Sequence, residues 1–414
     1  MSYQKTTLEN GITILSEKID YVRSIAVGIW IKTGSRDENP DNRGVAHFLE
    51  HMLFKGTEKR NKYEIAHYLE SLGGTVNAFT SKEFTCYYAR ILSEHLKQSI
   101  DLLSDIIQNS IFPDIEIEKE KNVVIDEINE IEDDPGELIF ERFYENLFPH
   151  HPLGYPIIGY RDDIKKINKN ICIDFISKNY HPKKIIITAS GFLEHEELVK
   201  YTNQYFPLDK SRPLKNEKRI FSPASEIKQR ENIYYDAANN QTHICTGIRT
   251  FPYTNENRFT LLVLNSILSI GMSSRLFQNI REKYGIAYDI HSFTDFFHDT
   301  GCFGVYAATN PENSKKCLKL IQSELQLLIE KPVTKSELKT IKAQLKSSLV
   351  MGLESTTARM NRLARQYIYT NNVEPIDKII KKIESIEPVH IQLLTKELFQ
   401  PDGFVTTILQ AKGG

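Results

Sequence analysis

Two stretches of this chain repeat one order of hydrophobic and polar positions at a separation of 219 residues. In the first, TCYYAR predicts the end of a strand, and SEHLKQSIDLLSDIIQ then carries apolar residues at the spacing of an amphipathic helix. In the second, FGVYAAT and SKKCLKLIQSELQLLIE read the same way. A proline breaks each helix, Pro113 in one copy and Pro332 in the other. A charged helix starts afresh after each break, IEIEKEKNVVIDEINEI and KSELKTIKAQLKSSLV. Tyr87 falls on Tyr306 and Ala89 on Ala308 in the same alignment. The identities are few, so the duplication rests on pattern order.

The strand segments SIAVGIWIKTG (24–34) and KKIIITASG (183–191) sit among long helices rather than in strict β-α-β alternation. The expected class is α+β: two similar domains related by internal duplication, each a largely antiparallel sheet with helices packed on it. Between the copies lies FPLDKSRPLKNEKRIFSP (206–223), with three prolines and seven charges. It reads as a linker. The expected division is an N-terminal domain over 1–212, a linker over 213–227 and a C-terminal domain over 228–414.

Composition narrows the class. A chain of 414 residues with 40% hydrophobic and 26% charged residues is an ordinary globular protein, neither disordered nor collagen-like. Its 52 Lys and Arg against 54 Asp and Glu give a net charge of -2, which argues against a nucleic-acid partner. No apolar run approaches the roughly 20 residues of a membrane-spanning helix. The start, MSYQKTTLENGITILSEKID, has neither an apolar signal core nor a presequence pattern. The five cysteines, Cys86, Cys172, Cys245, Cys302 and Cys317, are widely spaced and form no C-x-x-C pair. Reduced, mostly buried thiols in a cytoplasmic protein are expected.

The chemical signal is GVAHFLEHMLFKGT (44–57), with His47, Glu50 and His51 in an H-x-x-E-H arrangement. On a helix the two imidazoles share a face and can meet one metal ion, with the Glu50 carboxylate alongside. Neutral imidazoles suit zinc, and a nearby carboxylate can take a proton from metal-activated water. Asp41 or Asn42 is the expected helix cap and Gly56 the expected end. A control is GFLEHEE (191–197), which repeats Leu-Glu-His but has Gly191 in the first histidine's place. It cannot chelate, and His195 reads as a surface residue.

Two imidazoles need a further protein ligand. EKEKNVVIDEINEI (118–131) offers Glu118, Glu120, Glu127 and Glu130, among which spacing does not choose. Glu120 and Glu127 are seven apart and share a face. Val123, Val124, Ile128 and Ile131 form the apolar stripe expected to dock this helix. In the repeat alignment Glu120 falls on Lys339 and Glu127 on Lys346, so a metal site would belong to the first half alone.

With these residues in place, the chain resembles the M16 peptidases, the inverted zincins with an H-x-x-E-H helix. It is most similar to the short two-domain type that includes the mitochondrial processing peptidase β subunit and its bacterial relatives. The resemblance covers essentially the whole chain and extends to GSRDENPDNRGVAHFLEHMLFKGT, LGGTVNAFTSKEFTCYYA and VVIDEI. It implies one zinc per chain, held by His47, His51 and Glu127, which stands 76 residues beyond His51. It implies Glu50 as general base and Glu120 as a supporting carboxylate. It implies that Asn77, Ala78, Phe79 and Thr80 form a sheet edge to which peptide substrates add as an extra strand. It also implies that Arg281 and Tyr288, flanking a turn at Gly285, contact the substrate backbone. Without the resemblance, Arg281 reads as surface and Tyr288 as core.

The implied function is zinc-dependent cleavage of peptides or unfolded segments in a closed chamber. The implied setting is a bacterial cytoplasm, because the chain lacks both a presequence and the glycine-rich loop of the non-catalytic processing-peptidase partner. Larger relatives close two such units into a clamshell, so this chain is expected to pair as a homodimer. The rival readings are a non-catalytic structural subunit of the same fold and the catalytic half of a heterodimer. The intact metal motif speaks against the first, and the presence of both the zinc motif and the Arg/Tyr pair speaks against the second.

Overall fold

A computed structural model describes residues 3–207, 232–237 and 240–411. The strands are β1 Gln4–Thr7, β2 Thr13–Lys18, β3 Ser24–Ile31, β4 Thr75–Thr80, β5 Thr85–Leu92 and β6 Ile185–Gly191, then β7 Ile233–Ala237, β8 Thr242–Thr250, β9 Ala287–Phe296, β10 Gly301–Thr309 and β11 Val405–Ala411. The helices are α1 Val45–Met52, α2 Lys62–Glu70, α3 Leu96–Gln108, α4 Asp114–Asp133, α5 Pro135–Leu147, α6 Arg161–Ile164, α7 Lys169–Asn179 and α8 His195–Tyr205. Continuing along the chain they are α9 Arg258–Ser269, α10 Ser314–Glu330, α11 Lys335–Gly352, α12 Thr356–Thr370, α13 Ile376–Glu384 and α14 Pro388–Leu398.

The strands form two sheets, ordered β1-β2-β6-β3-β5-β4 and β7-β11-β8-β10-β9. The duplication expected from pattern order holds across both halves. A shift of 219 residues carries α7 onto α14 end for end, β6 onto β11 to within a residue, and β2 onto β7. Strand order is then the same in the two sheets, with β1 added to the first. Each sheet has one parallel pair, β2 with β6 and β7 with β11, and is otherwise antiparallel.

The central strands of the first sheet are runs of buried β-branched and small residues because both faces are covered. α3 packs on one part of this sheet, and α12 lies across β2, β3 and β6. Gly28 shows how close that approach is: a Cβ there would sit 3.0 Å from both Met360 Sδ and Trp30 Nε1. A buried ion pair of 2.8 Å between Arg359 of α12 and Glu17 of β2 fixes the helix. Removing one partner of such a pair costs about 3–5 kcal/mol, since the other charge is left without compensation.

The compact units do not follow chain order. One comprises Met1–Asn129, Tyr155–Ile220 and Gly352–Val373; the other comprises Glu130–Gly154, Phe221–Met351 and Glu374–Gly414. The expected contiguous division therefore misses two segments. α12, from the second half of the sequence, completes the first unit. α5, its counterpart in the repeat, completes the second, where Ile139, Phe143 and Leu147 join Cys245, Cys302 and Leu409 in one core. The expected linker 213–227 lies outside the described residues. The longer segment 206–223 starts at Phe206, which is buried as the C-cap of α8.

His195 is not a surface residue. It opens α8 and is buried, with hydroxyl partners on both ring nitrogens: Thr6 Oγ1 at 2.8 Å and Ser16 Oγ at 2.8 Å. All five cysteines are buried and unpaired. Among the described residues no helix is long and apolar enough to cross a membrane.

Candidate metal centre

α1 owes its placement to alternate demands on its two flanks. Val45, Ala46, Phe48, Leu49 and Met52 are buried, which leaves His47, Glu50 and His51 together on a half-covered face. The helix begins at Gly44, whose φ of +84° favours glycine. A Cβ there would also lie 2.6 Å from the Ile158 carbonyl oxygen. The expected cap from Asp41 or Asn42 is not what the structure shows. The buried Glu38 carboxylate accepts the N–H groups of Gly44 and Ala46, each at 2.8 Å, through its two oxygens. Asn42 instead accepts the backbone N–H of Asn39. Burial pushes the Glu38 carboxyl up to about 8, against the pull of the two amides. The helix also ends earlier than expected, at Met52, while Gly56 sits in a bridge with Asn61.

α4 docks through Ile117, Glu120, Val124 and Ile128, a stripe that includes one carboxylate. Val123, expected in this stripe, is exposed, and Ile131 is half-buried. The four glutamates left open by spacing differ in position. Glu118 faces solvent and pairs with Lys121, and Glu130 is exposed. Glu127 Oε2 lies 3.9 Å from His47 Nε2 and 3.7 Å from His51 Nε2. Ligand atoms of His47, His51 and Glu127 all lie within 4.8 Å of one another. Among the described residues this is the one such cluster of three metal-binding side chains.

This donor set fits zinc. Bonds of about 2.0–2.2 Å in a tetrahedral site put ligand atoms roughly 3.4 Å apart, and the Glu127 oxygen stands 3.9 and 3.7 Å from the two histidine nitrogens. Burial, with the neighbouring His51 adding to it, drives His47 down to about 3, so its imidazole is neutral and ready to ligate. Glu120 Oε1 lies 2.9 Å from His51 Nδ1, which leaves Nε2 for the metal. Glu50 accepts a 2.6 Å hydrogen bond at Oε2 from the Thr80 hydroxyl. Burial raises the Glu50 carboxyl, and the Thr80 bond and His51 only partly offset this. A carboxylate of raised pKa is a stronger base.

Thr80 ends β4, which is the edge of its sheet and among the described residues pairs only with β5. Of the four residues expected on that edge, Phe79 packs on Trp30 and Tyr88, and Asn77 Oδ1 accepts the Ala78 N–H at 2.8 Å. Arg281 and Tyr288 belong to the second unit. Arg281 lies in the π-helical turn Phe277–Glu282, Gly285 turns the chain at φ +63°, and Tyr288 stands near the start of β9. The guanidinium carbon is 5.9 Å from the Tyr288 ring centre. Tyr288 is 74% exposed, which overturns its reading as core. Sequence reasoning missed the cap at Glu38 and the hydroxyl contact from Thr80 to Glu50, neither of which follows a fixed spacing.

A pH dependence follows from His51. Burial disfavours its charged form, but the hydrogen bond to Glu120 and the charges of Glu127, Glu120 and Glu50 outweigh burial and raise its pKa. A ligand nitrogen must be unprotonated, so if His51 Nε2 were to bind zinc the metal would have to displace that proton. Zinc affinity is therefore expected to fall as pH drops, beginning at or above the ordinary histidine range near ~6.5. His47 adds nothing in that window. Competition with a chelator between pH 7.5 and 5.5 should show a loss of more than about tenfold. A flat profile would contradict the involvement of His51.

Residues 13–161 match the family described as insulinase (peptidase family M16), and residues 166–345 match the peptidase M16 inactive domain. The chain is 35% identical over 402 residues to the uncharacterised zinc protease YmxG of Bacillus subtilis, covering 96% of each chain. It is 34% identical over 402 residues to an uncharacterised zinc protease of Mycobacterium tuberculosis, covering 95% of this chain and 90% of the relative. Its fold is that of a protease from Helicobacter pylori, with a TM-score of 0.91 at 23% identity over 99% of both chains.

Proposed function

The chain belongs to the M16 family of peptidases, and from that premise we propose that it is a zinc-dependent endopeptidase acting on peptides or unfolded segments. The observation that carries this reading is the convergence of His47, His51 and Glu127 beside Glu50 at the end of an open sheet edge. Zinc, when held there, supplies Lewis acidity, polarising the scissile carbonyl and acidifying water at the site. One zinc per chain would be held by His47 Nε2, His51 Nε2 and Glu127. An extended peptide pairs with β4 through its main chain, so binding depends little on sequence. Glu50 takes the proton of the attacking water on its carboxylate and passes it to the leaving nitrogen. Thr80 holds that carboxylate against rotation and ties it to the strand that binds substrate. Arg281 and Tyr288 hold the substrate backbone.

The reading extends to assembly and setting. A homodimer enclosing a chamber, each site taking its zinc motif from one chain and its Arg/Tyr pair from the other, accounts for their presence on different units. Five buried, unpaired cysteines and bacterial relatives favour a bacterial cytoplasm. The second half keeps lysines, Lys339 and Lys346, where the first has Glu120 and Glu127, in line with a single metal per chain.

The test is incubation of the purified protein with unstructured peptides, with and without a chelator, followed by mass spectrometry. Cleavage should vanish with the chelator and return with zinc. Glu127→Gln should lower zinc content strongly and Glu118→Gln should not. Equal zinc in both variants would remove Glu127 as a ligand, and chelator-resistant cleavage would remove the metal.

A further inference from the structure

The motif GVAHFLEHMLFKGT contains a lysine to which the proposed chemistry gives no role. Lys55 follows His51 by four residues, in the turn after α1, where its N–H donates to the Met52 carbonyl at 3.1 Å. Its Nζ lies 2.6 Å from Glu120 Oε2. The other oxygen of the same carboxylate, Oε1, lies 2.9 Å from His51 Nδ1. The Glu120 side chain is only 5% exposed. Each oxygen of a buried carboxylate is thus matched to one donor, and among the described residues Lys55 has no other ion-pair partner.

We propose that Lys55 is a positioning residue for the metal site, holding Glu120 Oε2 so that Oε1 stays on His51 Nδ1 and His51 Nε2 stays directed at Glu127. The inference rests on the zinc reading given above. The physical ground is that a carboxylate can turn about its last bond. With Lys55 removed, a buried oxygen has no donor, and its lost hydration is not repaid. The carboxylate then turns toward whatever donor or water it reaches, and His51 loses the contact that sets its ring. Outer partners of metal-ligating histidines are commonly worth about 10–100-fold in metal affinity. A lysine that only stapled α1 to α4 would change the stability of the metal-free protein and leave zinc affinity alone.

The experiment measures zinc affinity of the full chain by competition with a chromogenic chelator, and the thermal midpoint of the metal-free form. Lys55→Met, which keeps the apolar stem, should weaken zinc binding by about 10–100-fold in addition to lowering that midpoint. Lys55→Arg should recover most of the loss. If Lys55 acts through Glu120, Lys55→Met should add less than about threefold in a Glu120→Gln background. Wild-type affinity in Lys55→Met, or an undiminished further loss in the Glu120→Gln background, overturns the proposal. Should Lys55→Met not fold, Lys55→Gln is measured with the same expectations and the same overturning results. A wild-type chain that binds no zinc would instead overturn the metal site itself. The two failures are therefore distinct.

Discussion

Glu50→Gln is expected to keep zinc and still bind peptide while turnover falls by at least about 100-fold. The amide has the size of the carboxylate, and its carbonyl oxygen can still accept the 2.6 Å hydrogen bond that Thr80 donates to Oε2. The helix and both histidines therefore stay where they are. What the amide lacks is basicity. The raised pKa that burial gives Glu50 favours accepting a proton from water and returning it to an amine, and no glutamine can do either. Zinc content, peptide binding by anisotropy and single-turnover cleavage separate the three quantities. Residual cleavage near the wild-type rate in a contaminant-free preparation would mean that Glu50 is not the base.

Activity should reappear when two inactive variants are combined. Glu50→Gln lacks the base, and Arg281→Ala with Tyr288→Phe lacks the pair that the proposed function places on substrate. If each site takes its zinc motif from one chain and its Arg/Tyr pair from the other, a mixed dimer contains one site with both parts intact. Exchange of subunits is enough, and the chains need not unfold. Co-expression with differential tags, followed by tandem purification, isolates the mixed dimer. Its expected activity is up to about half that of wild type, since one of its two sites is whole. Mixed dimers as inactive as both parents would mean that Arg281 and Tyr288 act within their own chain or not at all.

Much of the site could be read from the sequence because its chemistry is local to two helices. H-x-x-E-H puts three side chains on one face of α1 whatever surrounds it, and the seven-residue spacing of Glu120 and Glu127 does the same on α4. The choice of Glu127 came from family resemblance, since spacing left four glutamates open. What escaped was what depends on tertiary partners. His195 read as a surface residue because Gly191 leaves its segment unable to chelate, yet hydroxyls from β1 and β2 enclose it. Tyr288 looked like core because it is large and aromatic, yet it stands exposed beside a guanidinium. Glu38 caps α1 from outside the turn where caps are sought, because Gly44 has no side chain to do so. The fold was legible at the level of the repeat. Amphipathic patterns tell that α5 and α12 each bury one face, but not which sheet receives it.

The late position of α12 in the chain bears on how the protein is made. The first sheet receives α12, whose unit membership runs to Val373 in a chain of 414 residues. During synthesis, β1 to β6 are all available once Gly191 has emerged, but the helix that covers β2, β3 and β6 is not. The nascent first unit therefore waits, with an apolar sheet face uncovered, while most of the second is translated. Such an interval is where chaperone engagement and misassembly concentrate, and these contacts of long sequence separation fold late and slowly. The ribosome cannot deliver the two units one at a time. The first unit is complete only once Val373 has emerged, and the second only once β11 has.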